Sequence, residues 1–120
     1  MGTIRPLRRH PRFRALVRVV LHHSRREHTG VTQDVSDSGI YVITQAPPPI
    51  GHLIRIDIPM PDGAEPLRMT GVTHRIVEVA SGRHLPGAGI EWFAVGTLQR
   101  EQWLKFLSWL RARPARSETA

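Results

Sequence analysis

Apolar residues alternate with polar ones over most of the chain, which is the two-residue period of strands with one face buried. Phe13, Ala15, Val17, Val19 and Leu21 interleave with Arg14, Arg18 and His22, predicting one half-buried strand followed by a loop. Gly30 to Gln33 and Ile40 to Thr44 flank a turn over Asp34 to Gly39, so these two runs are expected as the legs of a hairpin. Ala46-Pro47-Pro48-Pro49-Ile50-Gly51 lacks the backbone donors a ladder needs and predicts a stiff exposed connection. In Leu53 to Ile58 the isoleucines at 54, 56 and 58 face one way, and Met60-Pro61-Asp62-Gly63 marks a turn. Leu67 to Val79 is long for a straight strand and shifts its apolar phase, which predicts a bulge or bend at Gly71. Ser81-Gly82-Arg83 is a loop tip, and Ala88 to Phe93 is the last strand.

The period then changes. Trp103, Phe106, Leu107 and Leu110 recur at helical spacing, with Leu104 and Trp109 at the edges of the stripe. The expected helix runs from Leu98 to Arg113, with Thr97 as N-cap, Arg111 and Arg113 at the negative end of its dipole and Pro114 as its stop. The stripe reads as core. Short strands separated by turn signals, closed by one helix, describe an all-β sandwich or barrel. A length of 120 residues fits one such domain and leaves no room for an output domain, so a regulated target is expected to be another molecule. No internal repeat is visible.

Composition narrows the chemistry. The chain has no cysteine, which excludes disulfides, thiolate metal sites and a cysteine nucleophile. No apolar run nears the ~20 residues of a spanning helix, and no apolar segment follows the basic N-terminus, so a cytoplasmic protein without membrane insertion is expected. The seven histidines do not form a metal motif: His22 and His23 are adjacent, and no acidic cluster joins the others at ligand spacing. Ser36 lacks a nucleophile elbow, so a hydrolase has no support and no enzyme is expected.

The formal net charge of +7 favours anionic partners. Eight arginines between Arg5 and Arg26 precede the first acidic residue, Glu27, and Lys105 is the only lysine. Arginine suits a planar fork that grips phosphate or stacks on a base. Two short motifs give this charge a place. Arg8-Arg9-His10-Pro11-Arg12 carries arginines on an extended, proline-containing arm, and Asp34-Val35-Ser36-Asp37-Ser38-Gly39 offers a carboxylate, hydroxyls and a glycine at a turn. Together they suit an anionic, planar, hydrogen-bonding ligand.

The two motifs resemble the signature of the PilZ domain, the bacterial receptor for cyclic di-GMP: R-x-x-x-R, then (D or N)-x-S-x-x-G. Arg8 and Arg12 fill the first pattern; Asp34, Ser36 and Gly39 fill the second. The resemblance covers the chain from about Pro6 to Arg113 and implies a six-stranded antiparallel Greek-key β-barrel with a C-terminal helix. The expected organisation is an arginine-rich arm over 1–12, the barrel and helix over 13–113, and a frayed tail over 114–120.

The resemblance implies that Arg8 and Arg12, with Arg9 as a third member, meet the two phosphates and stack on guanine. Asp34 accepts from guanine or pairs with an arginine, Ser36 donates to a phosphate or guanine acceptor, and Gly39 permits positive φ and close backbone approach. Ser38, Asp37 and His10 are expected to support the turn and the arm. The implied function is a cyclic di-GMP receptor, without cofactor, whose arm changes conformation on binding and signals to a separate protein partner. Leu7 before the first motif arginine offers no cation to sandwich between two intercalated ligands, so one ligand per chain is expected. Two alternatives remain open, a basic barrel binding single-stranded nucleic acid and a ligand-independent PilZ adaptor. The first would need more exposed aromatics than seven in all allow, and the second usually lacks the motifs that are intact here.

Overall fold

The computed structural model describes residues 11–63, 65–80 and 82–113. The proposed tail over 114–120 and the arm up to residue 10 therefore lie outside the described residues. The elements are β1 (Phe13–Arg14), β2 (Arg18–His23), β3 (Arg26–Ser36), β4 (Gly39–Ile43), β5 (Leu53–Ile58), β6 (Leu67–Val77), β7 (Gly87–Trp92) and α1 (Thr97–Ala112). All pairings are antiparallel, and they close a ring in the order β2, β3, β4, β7, β6, β5 and back to β2. This is the expected six-stranded barrel with one C-terminal helix. It is a Greek key because the proline-rich connection from β4 crosses to β5, and the β5–β6–β7 meander then returns to lay β7 against β4.

The interior follows the alternation. Val19, Leu21, Ile40, Val42, Ile54, Ile56, Ile58, Met69 and Ile90 are buried, while Arg55 between two isoleucines is exposed. Trp103, Phe106 and Leu107 of α1 are buried with them, so the helix closes the barrel at the end where β3 turns into β4. The indole of Trp103 meets that of Trp92 edge-on at 5.1 Å and donates to the Ser36 carbonyl at 3.0 Å. Gly96 is the helix N-cap in place of Thr97, and its N–H donates to the Gln99 side chain at 2.9 Å.

The strands differ from the expectation chiefly in four places. The run from Phe13 to Leu21 is broken: β1 and β2 lie along the same side of β3, opposite β4, and a one-residue shift between them throws Leu16 out to 73% exposure. Thr32 fills the gap, its hydroxyl donating to the Ala15 carbonyl at 2.6 Å and accepting from the Val17 N–H at 2.9 Å. The segment read as a loop after β2 is a tight hairpin, with Ser24 and Arg25 at φ 52° and 63° as its two-residue turn. The next turn is only Asp37-Ser38, which places Asp34 and Ser36 within β3 and Gly39 at the start of β4. In β6 the register slips between Thr73 and Arg75, so the irregularity is at His74 and Gly71 stays in the ladder.

Candidate functional site

Strand register sets the site. Arg14 of β1 pairs Asp34 of β3, Asp34 pairs Tyr41 of β4, Tyr41 pairs Gly89 of β7, and Gly89 pairs Arg75 of β6. Ile40 and Val42 point into the core, so Tyr41 between them belongs to the outer face. One line of polar residues thus crosses four adjacent ring strands on the outside of the barrel, with β1 beside them. Gly89 leaves a gap in that line, where a Cβ would come within 3.1 Å of the His74 ring, and His74 covers it.

Above this line lies a cleft of about 1000 Å³. Arg12 and Arg14 border it on one side, His74, Arg75, Arg83 and His84 on the other, with Gln33 and Asp34 between. Four arginines and one carboxylate among the described lining residues make it a site for an anion. Asp34 holds the centre. Its Oδ1 lies 3.6 Å from Arg12 Nη1, and its Oδ2 lies 3.2 Å from His84 Nε2. Oδ1 is shielded from solvent and has no hydrogen-bond donor among the described residues.

The far side is anchored from beneath. Tyr41 donates its hydroxyl to the Leu85 carbonyl at 2.6 Å and packs its ring against His84, centroids 4.0 Å apart. The Arg75 guanidinium stands 5.5 Å over the same tyrosine ring, with Nη2 3.2 Å from His84 Nδ1. Gln33 fixes the loop that carries His84, accepting from the Leu85 N–H and donating to the Arg83 carbonyl. Burial raises the Tyr41 pKa from 10.0; Arg75 opposes that shift and Asp34 adds to it. The His74 pKa is lowered from 6.5, chiefly by desolvation; Glu91 opposes this, while Arg12 and Arg75 reinforce it.

Of the residues predicted from sequence, Arg8 and Arg9 lie outside the described residues. Arg12 and Asp34 come together in the cleft. Ser36 and Gly39 sit at the turn end of β3 and β4, outside the cleft lining. Ser36 is buried, and its hydroxyl accepts from the Ser38 N–H at 3.2 Å. Gly39 has no positive φ; it is needed because a Cβ there would lie 2.1 Å from the Ile90 carbonyl oxygen of β7. Tyr41, His74, Arg75 and His84 were not anticipated, since only the register between distant strands brings them to Asp34. Among the described residues no cluster of three or more potential metal ligands occurs, and no helix is long and apolar enough to cross a membrane.

The model of the PilZ domain matches residues 6–108. The chain belongs to the PilZ domain family. Solved structures agree on the fold. The inhibitor of motility MotI (DgrA) of Bacillus subtilis superposes with a TM-score of 0.69 at 18% identity, over 90% of this chain and 53% of that one. This chain thus spans about half the length of MotI. The PilZ domain of YcgR from Escherichia coli, solved with c-di-GMP, gives 0.70 at 16% identity over 88% and 92% of the two chains. The PilZ domain of CeSA from a cellulose-synthesizing bacterium gives 0.63 at 19% over 84% and 98%. No curated protein sequence matches this PilZ chain.

Proposed function

We propose that this PilZ domain is a receptor for cyclic di-GMP that acts by binding and not by catalysis. The observation that carries the reading is the meeting of Arg12 and Asp34, one from each half of the family signature, in a cleft where arginines outnumber carboxylates. The dianionic ligand carries two phosphodiesters and two guanines. Arginines answer the phosphates and stack on the bases, and Asp34 Oδ1 is an acceptor with no donor among the described residues, as a guanine N1–H or N2–H would require. Arg8 and Arg9 would extend the cationic side, and Ser36 and Gly39 would hold the hairpin that carries Asp34. The c-di-GMP in the YcgR PilZ domain supports the choice of ligand.

The finer reading is that ligand bridging Arg8 and Arg12 to Asp34 changes the conformation of the segment through Arg12 and creates a surface read by a separate protein. Hydrogen exchange over Thr3 to Phe13 tests it; equal exchange in the free and saturated protein removes it. The ligand itself is tested by calorimetric titration with cyclic di-GMP, with GTP and short single-stranded DNA as comparators at matched salt. Selective binding of cyclic di-GMP is expected. Equal binding of the DNA with a steep salt dependence would move the site to nucleic acid.

A further inference from the structure

We propose that Arg75 is a ligand-contacting cation facing the second phosphodiester, and that neutral His84 is the positioning residue that keeps Arg75 and Asp34 from pairing with each other. The inference rests on the cleft being the ligand site; it assigns roles to two residues outside the signature.

The chemistry of the three groups fixes the arrangement. A guanidinium can only donate, so the 3.2 Å contact of Arg75 Nη2 with His84 Nδ1 requires that Nδ1 be an unprotonated acceptor. The remaining ring nitrogen, Nε2, then carries the hydrogen and donates to Asp34 Oδ2 at 3.2 Å. His84 is therefore held as the neutral Nε2–H tautomer, with a different partner at each nitrogen. A neutral ring stands between an arginine and a carboxylate that register places on one line of the sheet. Without it the two charges could close into an ion pair.

The consequence for Arg75 is a charge left available. Arg12 on the near side faces Asp34 at 3.6 Å, whereas no carboxylate among the described residues pairs with Arg75. Its guanidinium is steadied by the Tyr41 ring and by one hydrogen bond to a neutral nitrogen, which fix its position without cancelling its charge. Arg75 is exposed and borders the same cleft as Arg12 from the opposite side. Two opposed cations match two phosphodiesters on one cyclic ligand.

Calorimetric titration of the full chain with cyclic di-GMP, at low and high salt, tests the assignment with R75Q, R75K, H84A and H84Q beside R12A. R75Q should weaken binding roughly 10- to 100-fold and flatten its salt dependence, with R75K between it and wild type. H84Q should bind within about threefold of wild type, because a carboxamide offers an acceptor for Arg75 and a donor for Asp34, whereas H84A should fall about tenfold. Long-range ¹H–¹⁵N spectra of the free protein should show His84 with a bare Nδ1. Thermal melts of the variants check that they fold. Wild-type affinity and salt slope in R75Q would overturn the role of Arg75, and equal affinities for H84A and H84Q, or a protonated Nδ1, would overturn that of His84. If R12A loses binding and R75Q does not, only this inference falls; if wild type does not bind, the ligand reading falls with it.

Discussion

Asp34 Oδ1 is shielded, 3.6 Å from a guanidinium, and has no hydrogen-bond donor among the described residues, so its environment improves when a ligand brings one. Arg12→Ala should therefore weaken cyclic di-GMP binding about 10- to 100-fold by loss of charge-assisted contacts, with an unchanged thermal melt. Asp34→Ala should weaken it as well, and should also release His84, visible as a shift of its imidazole resonances. His74 makes a different prediction. With its native pKa below 6.5, the unfolded chain takes up a proton first, so stability present above that pH is lost as the solution is acidified. Because His74 is exposed the loss is small, and His74→Gln should reduce it in urea melts on either side of the ordinary histidine range. Arg12 and Asp34 were legible in the sequence because their spacing is local to two motifs. Arg75 and His84 were not, because nothing within a few residues of either distinguishes a cleft residue from a solvated one.

At the scale of elements, β5 was readable to the residue, since Ile54, Ile56 and Ile58 alternate without interruption. The break between β1 and β2 was not, because Leu16 carries an apolar residue out to solvent and Thr32, which repairs the ladder, is distant in sequence. Thr32→Val should cost about 1–3 kcal/mol in chemical denaturation by leaving the Val17 N–H and the Ala15 carbonyl unanswered. The β2–β3 hairpin was hidden for another reason: Ser24-Arg25 takes positive φ without the asparagine or glycine that usually announces it. Of the two properties expected of Gly39, positive φ is absent, and the close backbone approach is to β7. Gly39→Ala should therefore be damaging, with a lower melting temperature and weaker binding, because even a methyl group meets the β7 backbone. A melt like that of wild type would contradict the β4–β7 spacing.

For the whole molecule, the strand periods and one helical stripe were enough to indicate a closed barrel with its helix, because one core has few ways to cover so many half-buried strands. One ligand per chain is expected, and a titration end point near two would contradict it. Trp103 ties the helix to the hairpin bearing Asp34 by packing and by its indole hydrogen bond, so Trp103→Phe, which keeps a ring and removes the N–H, should loosen that hairpin more than it loosens β5 or β6. Hydrogen exchange resolves the two regions. Ring closure has a consequence for company. No strand of the ring keeps a whole edge free, and β1 is only two residues long. Among the described residues another polypeptide finds no long row of open amides on which to zip itself, in a cell or in an aggregate. Whatever associates with the described domain must do so through side chains, and can therefore be repelled by exchanging a few of them without disturbing the sheet.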